Sequence, residues 1–147
     1  MSAVRTANAI WQGDLLSGSG EVSATTSGVF SSLPTSWKAR TEQSEGMTSP
    51  DELLAAAHAS CFSMASSNNL AKAGFPPERM DVSVEVTADK TDAGWTVLAS
   101  HITLRARVPG IDEDQFQQAV EAAKEGCPIS RAIAGNVELT LDATLES

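Results

Sequence analysis

The chain is poor in positive charge. Ten lysines and arginines stand against nineteen aspartates and glutamates, a formal net charge of −9. A nucleic-acid binder needs a basic footprint to neutralise phosphates, so the balance argues against that class. An anionic membrane surface is disfavoured as a partner for the same reason. Long apolar runs are missing too, and none approaches the roughly 20 residues that span a bilayer. The opening MSAVRTANAIWQGDLL has no basic segment leading into an apolar one, so no signal peptide is expected and the chain reads as cytoplasmic. Cysteine is scarce, with only Cys61 and Cys127, 66 residues apart and in no CxxC pair. The spacing excludes a thioredoxin-type motif. In a reducing compartment it points away from a stable structural disulfide and leaves room for a transient catalytic one. Internal repeats and low-complexity tracts are absent as well.

What is present is ordinary globular material. A chain of 147 residues with 41% hydrophobic and 20% charged residues can bury a core as one domain over residues 1–147. Thr6–Phe30 reads as two short strands joined at Ser17-Gly18-Ser19-Gly20. Arg40 follows in SWKARTEQSEGMTSP, a polar loop or strand end. A helix then starts with a strong signal: Ser49 at the N-cap, Pro50 at N1, Asp51 and Glu52 at the positive dipole end, and Ser49-x-x-Glu52 as a capping box. It runs to about Ser67, and NLAKAGFPP adds a last helical piece stopped by Gly74 and two prolines. The period then drops to two. Val82, Val84, Val86 and Ala88 alternate with polar residues, as do Leu98, Ile102, Leu104, Ala106 and Val108 after a turn at Thr91–Gly94, and finally Val137, Leu139, Leu141, Ala143 and Leu145. One apolar and one polar face per strand is expected of an antiparallel sheet covered on one side. Between these strands DEDQFQQAVEAAKEG is an amphipathic helix with Phe116, Val120 and Ala123 as its stripe and Gly126 as C′. The element order gives an α+β fold.

The two thiols are the chemically distinctive residues. Cys61 lies on an i, i+3, i+4 stripe with Leu54, Ala57 and Ala65, which predicts a buried or interface position. Cys127 precedes Pro128 and so sits at the N-cap of a second short helix, where N–H groups and the dipole favour thiolate. These residues alone leave several readings open. Cys61 is a packed thiol or a nucleophile. His58, one turn earlier, is a packed histidine or the base of a Cys–His hydrolase. A zinc site from His58, Cys61 and Cys127 lacks a fourth ligand. His101 reads as structural, and Arg131 as a local ion-pair partner in preference to an aid to substrate binding. Phe62, Met64 and Phe75 are candidates for an apolar substrate pocket and equally for core.

TSPDELLAAAHASCFSMA resembles the first cysteine motif of the osmotically inducible protein C and organic hydroperoxide resistance (OsmC/Ohr) family, and GCPISRA resembles the second. TDAGWTV and VPGIDEDQF are similar to further family segments. The likeness covers essentially the whole chain, and AAAHASCFSMA leans to the OsmC branch. The resemblance implies antiparallel sheets packed on two long central helices in an intertwined homodimer. It implies a thiol-dependent peroxidase of oxidative or osmotic stress defence, acting on organic hydroperoxides and less efficiently on hydrogen peroxide. Cys61 would be the peroxidatic cysteine, Cys127 the resolving one, and Arg40 the catalytic arginine. Where the family has a glutamate after the motif's proline this chain has Asp51, with Glu52 next, so both are candidates. No cofactor or metal is implied; the reductant would be a dithiol such as a lipoylated protein. A non-enzymatic stress or ligand-binding protein on the same fold is the alternative.

The chemistry sets one geometric expectation. A thiol on a buried stripe needs a cation or hydrogen-bond donors to ionise, and Arg40 can hold a carboxylate and a thiolate together. Asp51 and Cys61 are ten residues apart, about 15 Å of helical rise. A site that uses both is then expected to combine groups from two subunits, or the chain must bend between them.

Overall fold

The computed structural model describes residues 1–146. They form two compact units, Met1–Leu53 and the chain from Leu54 onward.

In the first unit β1 (Ala7–Gln12), β2 (Ser19–Ala24) and β3 (Leu33–Thr35) make an antiparallel sheet in that order. The two expected strands form, but their connection runs over residues 13–18, and Ser19 and Gly20 of the expected turn belong to β2. Their connection is tied by the Asp14 carboxylate, which accepts from the N–H groups of Leu16 and Ser17, each at 2.9 Å, and from the Ser17 hydroxyl at 2.6 Å. Gly18 is required there because a Cβ would lie 2.3 Å from the Asp14 carbonyl oxygen. Arg40 lies on a one-turn helix, α1 (Trp37–Thr41), rather than in a loop or strand end. Ser36 makes that turn possible: its hydroxyl accepts from the Ala39 N–H at 3.0 Å. The long helix α2 (Pro50–Lys72) begins as its sequence signal requires. The Glu52 N–H donates to Ser49 Oγ at 3.1 Å and the Leu53 N–H to the Ser49 carbonyl at 3.0 Å. The Glu52 carboxylate accepts from the Thr48 hydroxyl at 3.3 Å.

In the second unit α2 continues without a break past Ser67 to Lys72. Gly74 stops it with φ 93°, which lets the Phe75 N–H reach back to the Leu70 carbonyl at 2.9 Å. The remaining elements are β4 (Arg79–Thr91), β5 (Gly94–Arg107), α3 (Glu113–Gly126), α4 (Pro128–Ile133) and β6 (Glu138–Glu146). β4 and β5 form an antiparallel hairpin closed at Thr91 and Gly94, with a bulge at Thr87/Ala88. β6 pairs parallel to β5, from Ala99↔Glu138 to Arg107↔Glu146, which corrects the expectation of an all-antiparallel sheet. Alternation reports which face is buried and is blind to strand direction. The α3–α4 connection is the long crossover a parallel pair needs.

The core of this unit comprises Phe62, Leu70, Ile102, Leu104, Phe116 and Val120 with smaller neighbours. The buried line on α2 is His58, Phe62, Ser66 and Leu70. It is displaced by one residue from the expected Leu54–Ala57–Cys61–Ala65 stripe: Ala57 is exposed and Cys61 only partly buried. Alanines occupy so many positions of α2 that small residues cannot mark a face. The large side chains, Phe62 and Leu70, decide which way the helix turns. At the far end of α3, Gly126 is the last helical residue, and the Cys127 N–H bonds the Ala123 carbonyl at 2.9 Å. Cys127 therefore ends α3 and caps α4, as Pro128 at N1 predicted.

Candidate active site

Cys61 sits near the middle of α2, on the flank of the buried line, and Cys127 sits at the α3–α4 junction. Both are unbridged, and their thiols lie close enough for each to shift the other's ionisation. The two environments differ. Burial, and then the hydrogen bond to Cys127, push the Cys61 thiol up, against a smaller opposing effect of the Ile129 N–H. Burial also works against a charge on Cys127. There it is outweighed by hydrogen bonds from the Cys61 thiol, from the Ser130 N–H and hydroxyl, and from the Ile129 N–H, which hold the Cys127 thiol below its ordinary range. Of the pair, the surroundings within this unit favour the thiolate at Cys127 and disfavour it at Cys61.

A cleft of about 420 Å³ opens beside Cys61, lined by Met64, Ala65, Asn68, Asn69, Ala123 and Pro128 among others. Of the three candidate pocket residues, Met64 alone lines it, and it is 70% exposed. Phe62 is wholly buried in the core and Phe75 packs against it, so both stand as core residues.

His58 does not partner Cys61. Its Nδ1 lies 2.7 Å from Ser100 Oγ on β5 and its Nε2 lies 2.8 Å from Ser130 Oγ on α4. All three residues are buried. Desolvation pushes the imidazole pKa down, which favours the neutral ring. With both nitrogens on hydroxyl groups it is neither base to Cys61 nor a metal ligand, and the Cys–His hydrolase arrangement is not formed. The sequence marks no role for Ser100, nor for Ser130 although it lies inside the GCPISRA motif. Each is one serine among many, and only the fold brings them to one ring. His101 lies on β5 with Thr140 at 2.6 Å and Asp142 at 3.3 Å, a sheet-surface pairing.

In the first unit Arg40 and Asp51 form a two-point ion pair: Nε to Oδ2 at 2.9 Å and Nη2 to Oδ1 at 3.2 Å, with the side chains 27% and 14% exposed. Asp51, not Glu52, is therefore the carboxylate that holds Arg40. Glu52 serves the α2 cap with Thr48. The Arg40 guanidinium lies 5.9 Å from the centre of the Trp37 ring. A cleft of about 350 Å³ lined by Trp11, Leu15, Thr35, Ser36, Trp37, Arg40 and Pro50 surrounds the cation with apolar surface. Trp11 and Leu15 had no motif to mark them, since their strand and turn carry only a generic alternation.

Comparison with known proteins bears on both parts. The family model for OsmC-like proteins matches residues 42–142. Peroxiredoxin OsmC of Escherichia coli (strain K12) is 42% identical over 147 residues, which is the whole of each chain. Organic hydroperoxide resistance protein OhrA of Bacillus subtilis is 32% identical over 109 residues, covering 70% of this chain and 72% of that one. Among solved structures, an organic hydroperoxide resistance protein OsmC from Legionella pneumophila superposes with a TM-score of 0.71 at 27% identity, covering 97% of this chain and 99% of the other. Similarity over the full length, a matching family model and a shared α+β fold agree: the chain belongs to the family of OsmC-like proteins.

Proposed function

We propose that the protein is a thiol-dependent peroxidase that reduces organic hydroperoxides to alcohols. The observation that carries this reading is the pair of unbridged thiols, Cys61 on α2 and Cys127 at the α3–α4 junction, close enough for each to shift the other's ionisation. The names of relatives, a peroxiredoxin and organic hydroperoxide resistance proteins, support it. The Cys61 thiolate attacks the O–O bond, giving a sulfenic acid and the alcohol. Cys127 then displaces the sulfenic oxygen as water and leaves a Cys61–Cys127 disulfide, which a dithiol reductant reopens by exchange.

The positive group Cys61 needs is Arg40, held by Asp51. In this proposal the protein is a homodimer, each chain a single functional domain, and Arg40 of the partner subunit completes the site around Cys61. Apolar residues left exposed in the first unit, Ile10, Trp11, Leu15 and Leu16, support a covered surface there. An alkyl hydroperoxide would lay its chain along Met64 and the apolar wall around Arg40. A cytoplasmic, reducing setting suits a disulfide that must be reopened at each turnover. No helix among the described residues is long and apolar enough to cross a membrane.

Consumption of cumene hydroperoxide with a dithiol reductant tests the reading in wild type, Cys61→Ser and Cys127→Ser. Activity is expected to vanish in Cys61→Ser. Cys127→Ser is expected to complete one turnover and then accumulate sulfenic and overoxidised Cys61. Undiminished turnover by Cys61→Ser would refute the mechanism.

A further inference from the structure

The site as described leaves a wholly buried histidine without a part. His58 lies one helical turn before Cys61 on α2. Ser130 lies on α4, three residues after Cys127. The His58 ring joins the two helices: Nε2 is 2.8 Å from Ser130 Oγ, while Nδ1 turns away to Ser100 Oγ on β5 at 2.7 Å. A neutral imidazole donates at one nitrogen and accepts at the other, so either tautomer satisfies both serines. The link between α2 and α4 therefore stands three residues from a cysteine on each side. Cys61 in turn lines a cleft with Gly126 and Pro128, the residues on either side of Cys127.

Little else holds α4. It is six residues long, and among its described residues only Ser130 is buried. A helix that short is marginal by itself and is ordinarily fixed by an apolar face. Here the buried contact is a hydroxyl group, and its partner is His58. At the junction the Cys127 N–H bonds the Ala123 carbonyl of α3 at 2.9 Å, and the Cys127 carbonyl accepts from the Arg131 N–H at 3.0 Å. Cys127 and α4 are thus one piece, hinged on the end of α3. The hinge fixes where that piece begins, and a second point is needed to fix its direction. Ser130 is that point, and it is tied to the helix that carries Cys61.

We propose that His58 is a positioning residue: its hydrogen bond to Ser130 holds α4 against α2 so that Cys127 faces Cys61, and thereby sets how readily the disulfide closes. The inference rests on the two-cysteine peroxidase reading for its place in turnover. The ring moves no proton in it and touches neither thiol. Its effect is on the effective concentration of one thiol at the other, which depends steeply on orientation.

A role in packing alone makes a different demand. Burying an imidazole requires that both nitrogens be satisfied, and for that purpose Ser100 and Ser130 are equivalent. For positioning they are not, because only Ser130 belongs to the piece that carries Cys127.

The test compares the two serines. The full-length protein is equilibrated in glutathione redox buffers, and the intrachain Cys61–Cys127 disulfide is quantified by mass spectrometry. One glutathione disulfide oxidises the thiol pair and is itself reduced to two glutathiones, so the buffer ratio at half-oxidation gives the effective concentration. Ser130→Ala is expected to lower it about tenfold, and Ser100→Ala, which leaves the bond to α4, to stay within about twofold of wild type. Each variant orphans one ring nitrogen, so their urea midpoints should fall alike. His58→Asn and His58→Gln repeat the comparison from the other partner. The asparagine amide reaches the place of Nδ1 and loses Ser130, and the glutamine amide reaches the place of Nε2 and keeps it. His58→Asn should therefore behave as Ser130→Ala does, with His58→Gln nearer wild type, which keeps the test decisive should a serine variant fail to fold. Equal shifts in the two serine variants overturn the proposal in favour of packing. A wild-type equilibrium in Ser130→Ala overturns it too, as does a wild type that forms no intrachain disulfide. After one equivalent of cumene hydroperoxide, dimedone-trapped sulfenic acid should persist about tenfold longer in Ser130→Ala than in Ser100→Ala. Failure of the wild type to consume peroxide, with the glutathione ratios ordered as expected, would count against the peroxidase reading alone.

Discussion

His58 ties the fold to pH. Burial lowers its pKa below the unfolded value of about 6.5. The unfolded chain therefore binds a proton at higher pH than the folded one. The histidine's contribution is complete above the unfolded pKa and is lost as pH falls from there towards the lower folded value. Urea midpoints are expected to drop between pH 7.5 and 5.5 in wild type and to change less over that interval in His58→Gln. Parallel slopes would show that the buried imidazole is not the titrating group. At this scale the sequence was partly legible. Both cysteines could be singled out by their scarcity, and Arg40 and Asp51 by motif. Cys61, expected on a buried or interface stripe, lies on the flank of the buried line, because a helix of alanines offers no contrast. Ser100 and Ser130 were invisible, since their meaning comes from three elements converging on one imidazole.

Elements with strong local signals form as written, and those whose direction or length depends on distant partners do not. The α2 start is the clearest case: Ser49, Pro50 and Glu52 determine where the helix begins, and Ser49 Oγ accepts from the Glu52 N–H. Ser49→Ala should cost about 1 kcal/mol in chemical denaturation, while Ser49→Gly should cost only a few tenths. A loss well under that for alanine would mean the Thr48–Glu52 contact carries the cap instead. By contrast α1 is a single turn, too short for periodicity to reveal, and exists because Ser36 caps it. The parallel pairing of β6 was equally hidden. Val137 to Leu145 alternates the same way whichever direction the strand runs. The α3–α4 connection from Arg107 to β6 is what allows the parallel choice.

At the scale of the whole molecule the proposal makes a claim that one chain cannot satisfy: Cys61 and the Arg40–Asp51 pair that serves it belong to different subunits. Within α2 itself Asp51 and Cys61 are ten residues apart, so one guanidinium held by Asp51 would not reach the thiol along a straight helix. Complementation can test this directly. Arg40→Met and Cys61→Ser are each expected to be nearly inactive as homodimers. Co-expressed with different tags, they assemble at random, and about half of the dimers hold one copy of each variant. In such a dimer one site joins an intact Arg40 to an intact Cys61, and the other lacks both. Activity should return to about a quarter of wild type in the mixture and about half in the doubly purified heterodimer. If Arg40 and Cys61 served each other within one chain, every site in the mixture would lack one of them. No activity would return, even though heterodimers were isolated.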